Sequence, residues 1–425
     1  MKEVFLHYVW KFQLFDTAQF CTTTNEKISI QKIGTHNTDS GPDFSEAHIY
    51  INNTLWVGDV EIHIRASDWF AHKHEQNPAY NSVILHIVFD YDIPVTNANG
   101  VIIPTAQLPI KPQTLSKIHE FEHLPPGNIC FDNLSHIDGI YKSAWFDRLV
   151  IERFERKAED IIHRYYIYNN NWEDTFYISL AQNFGVKTNA LAFEELAKST
   201  PRSIIMKHAD NLFQLESLLF GQANLLPTQH PDEYSQKLIQ EYTFLQKKYN
   251  ITPIAHELWK FARMRPPNFP TIRIAQFASI LYFHQKLCGT ILDCSEIQDC
   301  FVLFSTQLHS YWDTHYRLSH TSPFRVKYLG ENTINTILIN TVIPFLFAYG
   351  THTKQDVYTN RALRFLEELP AEKNSVISSW NRVHIQCKNA FRSQALLELS
   401  NNYCTKRKCL HCAFGHKILK MSNEI

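Results

Sequence analysis

Apolar and polar positions change their spacing once along this chain, near residue 143. Before that point the pattern is short and varied. Residues 4–20 place Phe5, Tyr8, Val9, Phe12, Phe15 and Phe20 at near-helical intervals, which predicts an amphipathic helix. Residues 27–33, 45–51 and 55–65 alternate polar and apolar positions and are rich in β-branched side chains, so three strands are expected. Asn52-Asn53 between the second and third is a tight-turn signal. A short helix fits residues 67–77, and the apolar run at 83–91 suits a buried strand. The expected order is α-β-β-β-α-β. A proline-punctuated stretch, 94–112, then leads out of this region.

From residue 143 onward the period is helical. Segments 144–168, 175–182, 190–197, 202–220, 235–247, 272–286, 308–316, 331–349 and 356–368 all read as helices. The predicted organisation is therefore an α/β N-terminal domain at 1–112, a large mostly α-helical domain at 143–376, and a tail at 377–425.

Composition narrows the class. The chain has 425 residues, 44% hydrophobic and 20% charged, which is globular and not disordered. The net charge of −1 excludes a uniform polycation. The charge is unevenly spread: residues 1–110 hold six Lys/Arg against twelve Asp/Glu, and residues 377–425 hold eight against two. An acidic front suits a cation, and a basic tail suits a polyanion or an acidic partner. The first ten residues do not read as a signal peptide. The most apolar stretch, 341–349, falls short of the roughly 20 residues that span a bilayer, so no membrane contact is expected. Nine cysteines, an odd number, point to a reducing compartment, and a cytoplasmic location is expected.

The sharpest chemistry lies in residues 41–65. Period two along the third strand puts Asp59, Glu61, His63 and Arg65 on one face and Val60, Ile62 and Ile64 on the other. Asp43, entering the neighbouring strand, can stand beside Glu61. Clustered carboxylates repel unless a cation separates them, and oxygen-rich sites suit Mg²⁺ or Mn²⁺. Asp43, Asp59 and Glu61 are the expected metal ligands. His72-x-His74 follows closely, and three imidazoles with His63 would be an alternative, zinc-binding set. His74 and Tyr80 are candidate substrate contacts, whereas His86 in its apolar strand reads as a core residue.

The element order, Pro42-Asp43, and Glu61-Ile62-His63 together resemble the PD-(D/E)XK nuclease superfamily over about residues 1–95. The resemblance implies a restriction-endonuclease-like core. Asp43 and Glu61 would hold the metal, and His63 stands where lysine is expected. Glu3 matches the first-helix glutamate loosely. Across nearly the full length, GPDF at 41–44, GDVEIH at 58–63, VILH at 83–86, RPPNFP at 265–270 with RIAQ at 273–276, and YCTKRKCLHC at 403–412 resemble an uncharacterised bacterial domain-of-unknown-function family. That resemblance implies no activity.

Cys387, Cys404, Cys409 and Cys412 place four thiols in 26 residues, a donor set for Zn²⁺ or a [4Fe–4S] cluster. The cluster is similar in position to those that staple helical tails in some DNA-repair glycosylases and nucleases. Arg263, Arg265 and Arg273 surround a proline-rich turn and are candidate contacts to nucleic-acid phosphates; the same residues can instead cap helix carbonyls. The reading is a metal-dependent nuclease acting on DNA or RNA with Asp43, Glu61 and His63 as catalytic residues. The alternatives are a non-catalytic nucleic-acid-binding protein and a structural scaffold.

Overall fold

The computed structural model describes residues 2–123 and 130–424. The chain divides into two compact units: Met1–Trp145 with Glu398–Ile425, and Phe146–Leu397. The cysteine-bearing tail therefore belongs with the N-terminal unit, and the boundaries cut the expected tail segment 377–425 in two.

The first unit is built on a mixed sheet. Helix α1 (Glu3–Lys11) is followed by β1 (Ile28–Lys32), β2 (Thr35–His36), β3 (Phe44–Ile51) and β4 (Thr54–Arg65). Then come a one-turn helix α2 (Asp68–Ala71), two 3₁₀ turns, β5 (Val83–Asp90) and β6 (Thr105–Gln107). The sheet order is β1-β3-β4-β5-β6, with β2 pairing on β3. The first pairs are antiparallel, while β4–β5 and β5–β6 are parallel. The expected α-β-β-β-α-β order is present, with the small strands β2 and β6 added.

Local chemistry explains the register. Asn52 takes the left-handed conformation (φ +53°) that a two-residue hairpin requires, and its side chain accepts a hydrogen bond from Lys27 N at 3.1 Å. Further along β3, Ser45 and Glu46 face a single residue of β4, and Glu46 has φ +56°. This is a β-bulge, and it turns the start of β3. The Asp59 carboxylate holds it, accepting from Glu46 N at 3.1 Å and from Ser82 Oγ at 2.6 Å. Gly58 has no room for a side chain, since a Cβ there would lie 2.4 Å from Ile84 Cγ2 and 2.5 Å from Ser82 O. The parallel link from β4 to β5 needs a crossover, which α2 and the two turns supply. Trp69 anchors that crossover in a core with Ala66, Val83, Val88, Val95 and Ile103.

Helix α1 ends earlier than its apolar spacing predicts. Gln13 adopts φ +50° and Leu14 N bonds Val9 O at 2.9 Å, closing the helix. Phe15 and Phe20 then pack on Trp10 from a turn. The C-terminal part of the unit contains a π-helical turn (Leu399–Cys404), a 3₁₀ turn (Cys409–His411) and a final helix, Ala413–Glu424. Helix α3 (Pro112–His123) and α1 receive that final helix; Tyr8 Oη meets His416 Nδ1 at 2.6 Å.

The second unit is almost entirely helical. Its most apolar element is continuous over Glu331–Thr353, through a π-helical turn at Leu338–Val342. With 23 residues and a mean hydropathy of 1.4 it is long and apolar enough to cross a membrane, longer than the apolar run at 341–349 suggested. Most of it is buried within the protein, as a core helix is.

Candidate metal centre

Asp43 and Glu61 meet through the backbone of their two strands. Phe44 pairs with Val60, so the residues just beyond, Asp43 and Glu61, are brought side by side. Asp43 N donates to Glu61 Oε2 at 3.0 Å, and Asp43 Oδ2 accepts from Ile62 N at 2.9 Å. The Asp43 side chain is also 3.2 Å from His7 Nε2, and His7 Nε2 is 3.6 Å from Glu3 Oε1 on the same helix. Glu3 thus stands beside this group from α1.

The other Glu61 oxygen faces imidazoles. Glu61 Oε1 is 3.2 Å from His74 Nε2 and 3.7 Å from His63 Nε2. His63, His72 and His74 each offer a ring nitrogen, and these atoms all lie within 4.8 Å of one another. Two features converge them. His63 projects from β4, and Lys73 between His72 and His74 takes the left-handed conformation at φ +61°. That turn lets two histidines only two residues apart reach one point. Tyr80 stacks on the His74 ring at 3.7 Å, and Trp69 stands 5.2 Å from the same ring, fixing its plane.

His86 is part of this group. It pairs with Glu61 across β4–β5, is fully buried, and its Nε2 lies 2.9 Å from His63 Nδ1. With His63 Nδ1 donating to His86, His63 Nε2 is left with a lone pair toward His72 and Glu61. A ligand histidine fixed through its other nitrogen is the usual support of a metal site. His86 is a core residue, as its apolar strand suggests, and fully buried; that it faces Glu61 across a parallel pair is not visible in one strand's pattern.

Electrostatics divide the site into two halves. Burial drives His63 down to about 2 and His86 to about 3, and the neighbouring imidazoles add to the first, so both rings are neutral. Burial lifts the Glu61 carboxyl above its ordinary value; the His74 contact opposes this and the Asp43 charge reinforces it. Around His7 burial works against the charged form, but the hydrogen bonds and charges of Asp43 and Glu3 outweigh it and raise the imidazole to about 9. His7 is therefore a cation at neutral pH. His74 Nε2, on a buried ring, finds no well-aligned hydrogen-bond partner.

Three imidazoles and a carboxylate form a nitrogen-rich donor set. Such a set prefers Zn²⁺, Mn²⁺ or Fe²⁺ to Mg²⁺, which favours all-oxygen shells. Asp59, expected as a ligand, instead bonds the Glu46 bulge and Ser82. Bulge formation explains this, because the extra residue on β3 leaves an amide off the ladder, and the Asp59 carboxylate accepts from it.

A family model described as "Protein of unknown function (DUF2851)" matches residues 3–375. The chain belongs to this family. No curated protein and no solved structure matches it.

The remaining predicted residues of this DUF2851 chain fall in two places. Cys404, Cys409 and Cys412 lie in the first unit, and Cys130 joins them: Cys130 and Cys404 each feel the charges of Cys409 and Cys412. Backbone N–H groups of Phe414 and Gly415 beside the Cys412 sulfur partly offset the burial that raises this thiol to about 11. Cys387 falls in the second unit, where its charged neighbours are Arg392 and Glu372. The arginines of the proline turn also separate. Arg263 and Arg265 are exposed, whereas Arg273 is buried, 6% exposed.

Proposed function

We propose that this protein is a metal-dependent hydrolase of phosphodiester bonds in DNA or RNA, on a restriction-endonuclease-like sheet. The observation that carries the reading is the convergence of Glu61 Oε1 with the ring nitrogens of His63 and His74, beside Asp43. Glu61, His63, His72 and His74 would hold one divalent ion. When bound, such an ion polarises a phosphoryl oxygen and lowers the pKa of a water.

The protein's own groups do the rest. His86 fixes the His63 tautomer. Asp43 orients His7, and the His7 imidazolium supplies the positive charge that lysine gives in the superfamily. Held cationic at neutral pH, it can steady a developing phosphorane or donate a proton to the leaving oxygen. His63, neutral and enclosed, acts as a ligand and not as a base. The basic tail is the surface suited to the polyanion's backbone.

Cys130, Cys404, Cys409 and Cys412 complete the proposal as a second site, for Zn²⁺ or a [4Fe–4S] cluster, that fastens the tail to α1 and α3. Metal would deprotonate thiols that burial otherwise keeps protonated.

Purified protein should cleave single- or double-stranded substrate with Mn²⁺ or Zn²⁺. Cleavage should vanish in Glu61→Ala and in His74→Ala. Intact substrate with every divalent ion, in the presence of salt-dependent binding, would instead favour the non-catalytic nucleic-acid-binding reading.

A further inference from the structure

The second unit contains a cavity of about 260 Å³ that plays no part in the metal chemistry. Its walls come from the turn Pro266–Asn268, the helix Pro270–Phe283, the strap at 325–328 and the helix Glu331–Ile337. Arg273 and Lys327 both line it, and each is 6% exposed. Among the described residues, no acidic side chain lines it.

Arg273 is a buried guanidinium without a carboxylate among the described residues. Its partners are neutral: Asn268 Oδ1 at 2.8 Å, Gln276 Oε1 at 3.3 Å and Thr333 Oγ1 at 3.3 Å. Its Nε has no hydrogen-bond partner among the described residues. Burial brings its pKa down to about 10, which leaves it charged at neutral pH. Lys327 directs its ammonium to the carbonyls of Trp312, Asp313 and Arg325 and lies 4.2 Å from the Tyr316 ring centre. The Asp313 charge acts on Lys327 from outside the lining. Arg325 stands exposed at the rim beside Val326 and Tyr328, which are 54% and 65% exposed.

Burying a charge is costly unless a counter-charge or a full set of hydrogen bonds compensates it. Here three amide and hydroxyl groups aim the guanidinium without neutralising it, and a second buried cation stands in the same wall. This is the arrangement of a preformed anion receptor. The planar fork of arginine matches two oxygens of one anion. Three cations around a small volume favour a doubly charged phosphate over a singly charged carboxylate. The exposed Tyr328 and Val326 offer an apolar lip to whatever carries the phosphate.

We infer that this cavity binds the phosphate group of a phosphomonoester, with Arg273 at its base and Arg325 at its rim, while Lys327, whose three donors go to backbone carbonyls, contributes its charge but no hydrogen bond. The buried position of Arg273 suits a terminal phosphate inserted into the cavity and not the flank of a duplex. The site is independent of the metal centre.

Titration calorimetry and thermal melting with inorganic phosphate, a nucleoside 5′-monophosphate, the matching nucleoside and oligonucleotides with 5′-phosphate or 5′-hydroxyl ends test this. Inorganic phosphate and the monophosphate should bind, and the nucleoside and the 5′-hydroxyl oligonucleotide should not compete. Binding by the 5′-phosphorylated oligonucleotide would identify a nucleic-acid end as one source, and its failure beside a bound monophosphate would identify a free metabolite. Arg273→Gln should weaken phosphate by about 10-fold or more, as loss of a charge-assisted bidentate contact does. Arg325→Ala changes only an exposed side chain, so it should fold normally and still lose several-fold in affinity. Absence of phosphate binding to the wild-type protein would overturn the inference. So would unchanged affinity in a folded Arg325→Ala together with a folded Arg273→Gln.

Discussion

The imidazole of His7 takes a charge that no lysine of the sheet provides. It does so because two carboxylates, Asp43 and Glu3, reach one ring nitrogen. Replacing His7 with Lys should therefore preserve more hydrolysis than replacing it with Gln, measured as single-turnover rate on a labelled oligonucleotide. His86 works one step further from the ion. His86→Ala should weaken metal binding by about 10–100-fold, the usual effect of losing a ligand's supporting hydrogen bond, read by competition with a metal-sensitive dye. In the other unit, Glu216 is fully enclosed, accepting from Trp312 Nε1 at 2.9 Å and from Tyr234. Burial raises it from 4.5 to about 7. The folded state therefore holds a proton that the unfolded chain releases between these values. Its contribution is fully present below about 4.5 and declines as pH rises to 7, after which it is constant. Chemical unfolding between pH 5 and 8 should show this decline in the wild-type protein and a flatter profile in Glu216→Gln.

At the scale of elements, the alternation of β4 and the Asn52-Asn53 turn were legible because period two and turn chemistry are local properties. The nearness of Asp43 to this part of β4 was legible from the hairpin, but the turn register alone sets Asp43 opposite Ile62, and the bulge moves its partner to Glu61. The bulge at Glu46 was not legible, because its signal is a backbone angle and not a residue type. The assignment of Asp59 as a ligand rested on the missing bulge. Asp59→Ala should destabilise the first unit by about 1–2 kcal/mol, through the unsatisfied Glu46 amide, yet leave metal stoichiometry unchanged. Denaturant titration and elemental analysis separate these effects. Lys73 hides the histidine convergence in the same way. Two imidazoles on a short helix would diverge; a single left-handed residue between them brings them together. Cys387 is near the other three cysteines in sequence but falls in the second unit, whereas Cys130, far upstream, lies with them in the first unit and feels their charges. Cys130→Ser should lower the zinc or iron content of the purified protein, and Cys387→Ser should leave it intact.

For the whole molecule, the division into two units makes metal removal a local event. The proposed ions both lie in Met1–Trp145 with Glu398–Ile425. A chelator should therefore increase hydrogen exchange in β4, β5 and the final helix, and leave the helices of Phe146–Leu397 at their original protection. Uniform loss of protection along the chain would show instead that the units unfold as one. The change of hydrophobic period near residue 143 lies close to the first boundary between the units, at Trp145. The return of the tail to the first unit is a long-range pairing, and no local period records it.

That return has a bearing on synthesis. A ribosome that has translated Met1–Trp145 has made Cys130 but not Cys404, Cys409 or Cys412, and translates the whole of Phe146–Leu397 before reaching them. The nascent N-terminal segment must therefore wait, with the docking faces of α1 and α3 uncovered, until Glu398–Ile425 is made.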